Sequence, residues 1–180
     1  MRVLVSVLLL SGLIFLWHDP AAAQSASVDL SGRQKGSHSG LPLPRFVSLK
    51  ADEVNVRRGP GWDHEIAWVY RRAGLPLEII AESDVWRQVR DAEGATGWVF
   101  GTLLSGRRTV LIAPWESKEK IVEMRGSASG SAVVRVKLAP GVLANVQDCD
   151  GAWCAISVGN ASGYVTQDRL WGVYPGETVE

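Results

Sequence analysis

Side chains that could make or break a covalent bond are scarce in this 180-residue chain, which has two cysteines, Cys149 and Cys154, and three histidines, His18, His38 and His64. A cysteine hydrolase needs a free thiol with a positioned imidazole. His38 sits in a Ser/Gly-rich stretch, and His64 follows Asp63 in an expected loop. The four-residue gap between the cysteines is not the redox spacing, and two sulfurs without a neighbouring histidine make a poor zinc site. The Gly-x-Ser-x-Gly elbow, the His-Glu-x-x-His helix and the Gly-Lys-Ser/Thr phosphate loop are missing from the sequence. Glu78 and Glu82 read as the solvated face of a strand. No metal, no cofactor and no enzymatic activity are expected.

What recurs instead is aromatic. One segment runs Asn55-Val-Arg-Arg58-Gly-Pro60, Gly74, Trp86-Arg-Gln-Val89, Gly97-Trp98-Val99 and Leu104. A second runs Val122-Glu-Met-Arg125-Gly126, Gly141, Trp153-Cys-Ala-Ile156, Gly163-Tyr164-Val165 and Leu170. Counting from Arg58 and from Arg125, the glycine follows after 16 residues and the tryptophan after 28 in both. A repeat of this kind describes tandem binding modules. Period-two alternation puts Trp86 and Gln88 on one side of a strand and Arg87 and Val89 on the other. With Val89 in the core, Trp86 faces outward; with Ile156 in the core, so does Trp153. An outward tryptophan offers a flat apolar face and one N–H donor, suited to sugar rings, peptide turns or proline. Packing under a loop or between modules is the competing reading. Arg58 and Arg125 read either as clamps on a ligand carboxylate or, the favoured reading, as turn arginines bonding nearby carbonyls or an acidic neighbour.

The elements that must position these residues are short strands. Candidate strands cover Glu53 to Arg57, Ile66 to Tyr70, Leu77 to Ala81, Val85 to Arg90, Thr96 to Phe100 and Arg108 to Ile112. The second copy repeats the order from Lys120 to Val173. Gly, Pro or Asp clusters bound the first copy's strands, and no segment sustains a helical period. The expected class is all-β, a small barrel or sandwich in each copy. The boundaries are 41–113 and 114–176, with 177–180 as a tail.

The first 23 residues read as a secretory signal: Met1-Arg2, an apolar run from Val3 to Trp17, then Ala21-Ala22-Ala23, with cleavage between Ala23 and Gln24. The run is short of the roughly 20 residues a membrane span needs, so no stable span is expected after signal removal. Residues 24–40 form a Ser/Gly-rich tether. In an exported chain Cys149 and Cys154 are expected to pair across the turn Asp150-Gly-Ala-Trp153, worth about 2 kcal/mol. The chain holds 19 basic and 19 acidic residues, so no generic attraction to nucleic acid or anionic lipid arises.

The ordered set resembles the bacterial SH3-like (SH3b) family, most closely its exported tandem members from Gram-negative bacteria. The residues that carry the resemblance include Leu41 to Lys50, Glu53 to Pro60, Trp86 to Asp91, Gly94 to Trp98, Leu104 to Arg108, Cys149 to Cys154 and Leu170 to Pro175. It implies two SH3-like five-stranded barrels whose usual role is binding. Such modules often accompany cell-wall hydrolases and contact peptidoglycan. It also implies a shallow groove in each copy, formed by Trp86 with Trp98, Tyr70 as a weaker addition, and by Trp153 with Tyr164. If one copy alone binds, the first is favoured. The basic loop Arg57 to Asp63 departs from SH3 domains that read proline-rich peptides, which carry acids there. The expected protein is periplasmic or secreted, with peptidoglycan or an envelope protein as partner. A structural adaptor whose aromatics pack the modules is the alternative, and a cell-wall hydrolase a distant third.

Overall fold

The computed structural model describes residues 32–180. The expected signal peptide, its cleavage point and residues 24–31 of the tether lie outside them. Strand β1 (Gln34–Lys35) pairs with β2 (Pro42–Leu43). The first module continues through β3 (Arg45–Leu49), β4 (Val54–Arg57), β5 (Ile66–Tyr70), β6 (Pro76–Ser83), β7 (Trp86–Arg90), β8 (Thr96–Phe100), a 3-10 turn at Gly101–Leu103 and β9 (Leu104–Ser105). Its seven strands form one sheet in the order β5-β4-β8-β7-β6-β3-β9. The second module follows with β10 (Thr109–Ile112), β11 (Val122–Arg125), β12 (Val134–Leu138), β13 (Leu143–Asp150), β14 (Trp153–Val158), β15 (Ala161–Thr166), a 3-10 turn at Gln167–Arg169, β16 (Leu170–Trp171) and β17 (Thr178–Val179). Its order is β12-β11-β15-β14-β13-β10-β16, the same path, with β17 added beside β13. The expected all-β class and two SH3-like repeats are what the chain forms.

Three boundaries change. The tether ends before Gly40, because β1 pairs with β2 and the Ser39 and His38 amides bond to Glu82. The module junction falls before Thr109, not after Ala113, because β10 pairs with β13 and β16. The tail is tied down, because Thr178 and Val179 pair with Asp150 and Cys149, and Glu177 meets Arg108 at 2.8 Å.

Each sheet closes over its own core. Val54, Val56, Leu77, Ile79, Val89 and Val99 fill the first, and Ile112, Met124, Ile156 and Val165 fill the second. Both copies carry a register shift in the same two places, after Val56 and Ile79 in one and after Met124 and Val146 in the other. Bulges of this kind bend a strand, which lets a short sheet curl around so small a core. Strand β8 touches β4 through the single bridge Arg57–Trp98, and β15 touches β11 through Arg125–Tyr164. The glycine before each aromatic permits that approach. A Cβ on Gly163 would lie 2.5 Å from the Arg125 carbonyl oxygen and 2.8 Å from Met124 Cγ. One on Gly97 would overlap the Val56 side chain.

The ladder registers reveal a substitution of chemistry. Glu82 faces Arg87 across β6 and β7; at the same position of the second copy Cys149 faces Cys154. The expected disulfide is formed there, with Cα atoms 4.1 Å apart. So one copy ties this pair of strands by an ion pair, Glu82 Oε1 to Arg87 Nε at 3.3 Å, and the other by a covalent bond. Glu78 and Glu82 are therefore not a solvated face. Glu78 is 2% exposed and accepts hydrogen bonds from Arg90 Nε (2.8 Å) and from the Tyr174 hydroxyl (2.9 Å) of the second module. Burial first, then this bond to Glu78, pushes the Tyr174 phenol far up. Tyr174 and Trp171 both pack on Phe46, with ring centroids 4.7 and 5.1 Å away. Trp171 Nε1 donates to the Pro76 carbonyl at 3.3 Å, and Thr109 Oγ1 to the Gly74 carbonyl at 2.6 Å. These contacts join the two modules.

Candidate functional site

On the first module the outer face of β4, β8 and β7 carries Arg57, Trp98, Gln88, Trp86 and Phe100, paired across the strands as Arg57–Trp98, Gln88–Trp98 and Trp86–Phe100. Alternation thus placed Trp86 outside the barrel core, as the residues implied. The ring is nevertheless only 5% exposed. Trp62, from the loop after β4, lies over it with centroids 4.8 Å apart, and Phe100 flanks it at 5.6 Å. The expected solvent-facing Trp86 is thus corrected: it is the floor of a three-ring stack. Trp62, 65% exposed, is the ring that faces solvent. Trp98 is half-buried beside the stack, and no direct ring contact joins it to Trp86.

Arg57 holds the covering loop. Its Nη1 donates to the Trp62 and His64 carbonyls at 3.2 and 2.6 Å, and its guanidinium lies 5.4 Å from the Trp62 ring centre. In the second module Arg125 Nη1 donates to the Ala132 carbonyl at 2.8 Å, also seven residues on. Arg125 is thus the counterpart of Arg57, not of Arg58. The gap-free count from Arg58 matched because the first copy has one more residue in the turn between β5 and Gly74. Arg58 itself is exposed, 3.4 Å from Glu65.

The second module has the same frame without the cover. Trp153 pairs with Thr166 where Trp86 pairs with Phe100. Five residues beyond Arg125, where Trp62 stands relative to Arg57, the chain has Gly130. Trp153 is therefore only half-buried, and it lines a groove of about 470 Å³ with Glu123, Arg125, Lys137, Thr166 and Arg169. Tyr164 bridges to Arg125 and pairs with Ala155, but it is not part of the groove lining. Tyr70 is separated from Trp86 and Trp98. It pairs with Val54 on the core side of β5 and lines a different cavity, about 410 Å³, with Trp68, Leu75, Asp91 and Leu111. Its hydroxyl donates to Asp91 at 2.8 Å; burial first and then this bond push the phenol far up.

Among the described residues both cysteine sulfurs are in the disulfide, and no group of three or more His, Cys, Asp or Glu could hold a metal. His38 Nδ1 lies 3.7 Å from Asp84, and His64 sits against Gly59.

A family model for the bacterial SH3 domain matches residues 50–106 and again residues 118–172. This chain belongs to the bacterial SH3 domain family. The two matches fall one on each barrel. Over 143 residues the chain is 29% identical to a protein of Bacillus subtilis (strain 168) named "Putative N-acetylmuramoyl-L-alanine amidase YrvJ", covering 71% of this chain and 27% of that one. The chain thus spans about a quarter of that relative. Two solved structures from Trichomonas vaginalis, NlpC2 and NlpC1, share 11% and 10% identity over 71% and 81% of this chain and 48% and 50% of theirs. Their TM-scores are 0.32 and 0.33, so the family assignment rests on the sequence match. In these SH3 modules the residues that sequence reasoning passed over are Trp62, Phe100 and Arg57. Phe100 had a signal: it shares the parity of Trp98. Trp62 had none, because a loop residue has no period.

Proposed function

We propose that this protein is an exported, non-catalytic binder whose SH3 modules contact cell-wall peptidoglycan in the periplasm or outside the cell. The observation that carries the reading is an aromatic surface at one shared place on both barrels: Trp62 stacked over Trp86 on the first, half-buried Trp153 on the second. Indole faces suit sugar rings and short peptide turns. The relative named as an N-acetylmuramoyl-L-alanine amidase supports the cell wall as the setting. Trp86 acts from beneath, by holding Trp62. Arg58, Tyr164 and Tyr70 are secondary candidates. A second reading, a structural adaptor that engages an envelope protein, is favoured by the Phe46, Trp171 and Tyr174 packing, which gives aromatics a role in joining the modules.

The test is pelleting of purified residues 24–180 with insoluble sacculi. Wild type pellets at low salt. Trp62→Ala combined with Trp153→Ala lowers the pelleted fraction, and Arg58→Ala lowers it less. Absence of wild-type pelleting refutes the cell-wall reading. Full pelleting of the double variant refutes these faces as the contact.

A further inference from the structure

The two copies differ at their outer faces in one consistent sense. Strand pairing places Val69 opposite Asn55 and Lys137 opposite Glu123, so Lys137 stands where the first copy has Val69. Thr166 stands where it has Phe100. Arg169, closing the second 3-10 turn, stands where it has Leu103. Gly130 replaces the covering Trp62. Three apolar groups become a hydroxyl and two cations, and the cover is removed. The result is an open groove with an indole wall at Trp153 and cations at Arg125, Lys137 and Arg169 against one lining carboxylate, Glu123. Glu123 is engaged by Arg125. Glu116 holds Arg169 at 3.2 Å but is shared with Lys120 at 3.0 Å. Lys137 is exposed and has no ion-pair partner among the described residues.

We infer that this groove is the anion-reading site of the pair and takes a carboxylate-bearing sugar–peptide, its ring on Trp153 and its carboxylate between Lys137 and Arg169. The chain is neutral overall, so the local surplus of positive charge is a property of the groove. An ionised acceptor fits it: charge-assisted bonds from Lys and Arg are about twice as strong as neutral ones. The first module has its rings stacked, Val69 where the second has Lys137, and its Arg57 engaged by the Trp62 and His64 carbonyls. The sequence reading that favours the first copy is thereby reversed for charged ligands. The inference deepens the cell-wall reading and rests on it for the class of ligand.

The probes are N-acetylmuramyl-L-alanyl-D-isoglutamine, which carries one free carboxylate, and the same molecule with that group amidated. Proton–nitrogen spectra of residues 24–180 are followed during titration. The acid shifts the Trp153 indole N–H and the Lys137 and Thr166 amides. The amide binds at least about tenfold more weakly, and so does the acid with Lys137→Gln, a neutral change on an exposed side chain that sets no like charge opposite Glu123. Equal binding of acid and amide, shifts confined to the Trp62 and Trp98 face, or no shifts at all overturns the inference. Sacculus pelleting separates the two levels. Pelleting without groove shifts keeps the cell-wall reading and removes this one. Groove shifts without pelleting keep the carboxylate site and remove the cell wall.

Discussion

Replacing Glu82 with glutamine tests how the first module is held together. The Glu82 side chain has no exposed surface. Its carboxylate accepts bonds from the Ser39 amide (2.8 Å), the Ser39 hydroxyl (2.7 Å), the His38 amide (3.1 Å) and Arg45 Nη2 (2.8 Å), with Arg87 Nε at 3.3 Å. Burial alone raises the carboxyl; these donors, led by Ser39 and Arg45, more than offset it and hold it at about 2 instead of 4.5. At about 1.4 kcal/mol for each pH unit, that difference is worth up to about 3 kcal/mol. A carboxyl held low contributes this stability above its unfolded value and loses it as pH falls through the folded one. The contribution is therefore complete near neutral pH and disappears between about pH 4.5 and about pH 2. Urea unfolding followed by tryptophan fluorescence measures it. Glu82→Gln costs up to about 3 kcal/mol at neutral pH, and variant and wild type converge in acid. Hydrogen exchange at His38 and Ser39 accelerates in the variant, because both amides lose an ionised acceptor. An equal cost at both pH values, or one below about 1 kcal/mol at neutral pH, refutes the reasoning, since an ordinary surface change costs no more than about half that.

Two further outcomes follow from the repeat. Gly163→Ala forces a methyl group against the Arg125 carbonyl and Met124, and costs about 1–3 kcal/mol in urea unfolding. Gly130→Ala, with open space around it and no positive φ, stays within about 0.5 kcal/mol, so equal costs refute the close-approach argument. Reducing the Cys149–Cys154 bond removes about 2 kcal/mol from the second module. Hydrogen exchange at the β6 and β7 amides of the first module is unchanged; a loss shared by both modules, or none, contradicts the assignment of this bond as a local staple.

The strands were legible because burial on one face writes a period of two into them. Val54 and Val56, Val89 and Val99 are apolar where the barrel needs them, and the expected strands at Ile66–Tyr70, Thr96–Phe100 and Trp153–Val158 form with those limits. The same period told which way Trp86 points. It could not tell what lies beyond Trp86, because Trp62 reaches it from a loop whose path depends on Arg57 bonding carbonyls five and seven residues on. The carboxylates misled for a related reason. Polar residues on a strand normally mark solvent, yet Glu82 is covered by the segment Gly36 to Ser39, and Glu78 by Tyr174 from the other barrel. Both partners are distant in sequence, at 43 and 96 residues. Counting also failed where a turn changed length by one, which moved the arginine match from Arg57 to Arg58.

The repeat therefore separates what the barrel requires from what each copy adds. Both copies keep the arginine on β4 or β11, the glycine before the crossing aromatic, and the two bulges; each has a reason in packing or in loop closure. None of these distinguishes a binder from a mere scaffold. Function has to be sought where equivalent positions disagree: Trp62 against Gly130, Val69 against Lys137, Phe100 against Thr166, Leu103 against Arg169. At Glu82–Arg87 against Cys149–Cys154 the copies also disagree, but there both solutions tie the same two strands, so the difference is one of means. On the outer face the differences change what the surface offers, stacked rings in one module and an open cationic groove in the other. Two identical sites would add avidity for one repeated ligand. Two unlike faces on barrels joined through Phe46, Trp171 and Tyr174 would, on the proposed cell-wall reading, suit a ligand with two unlike ends, as a chain of sugar rings bearing carboxylated peptides has.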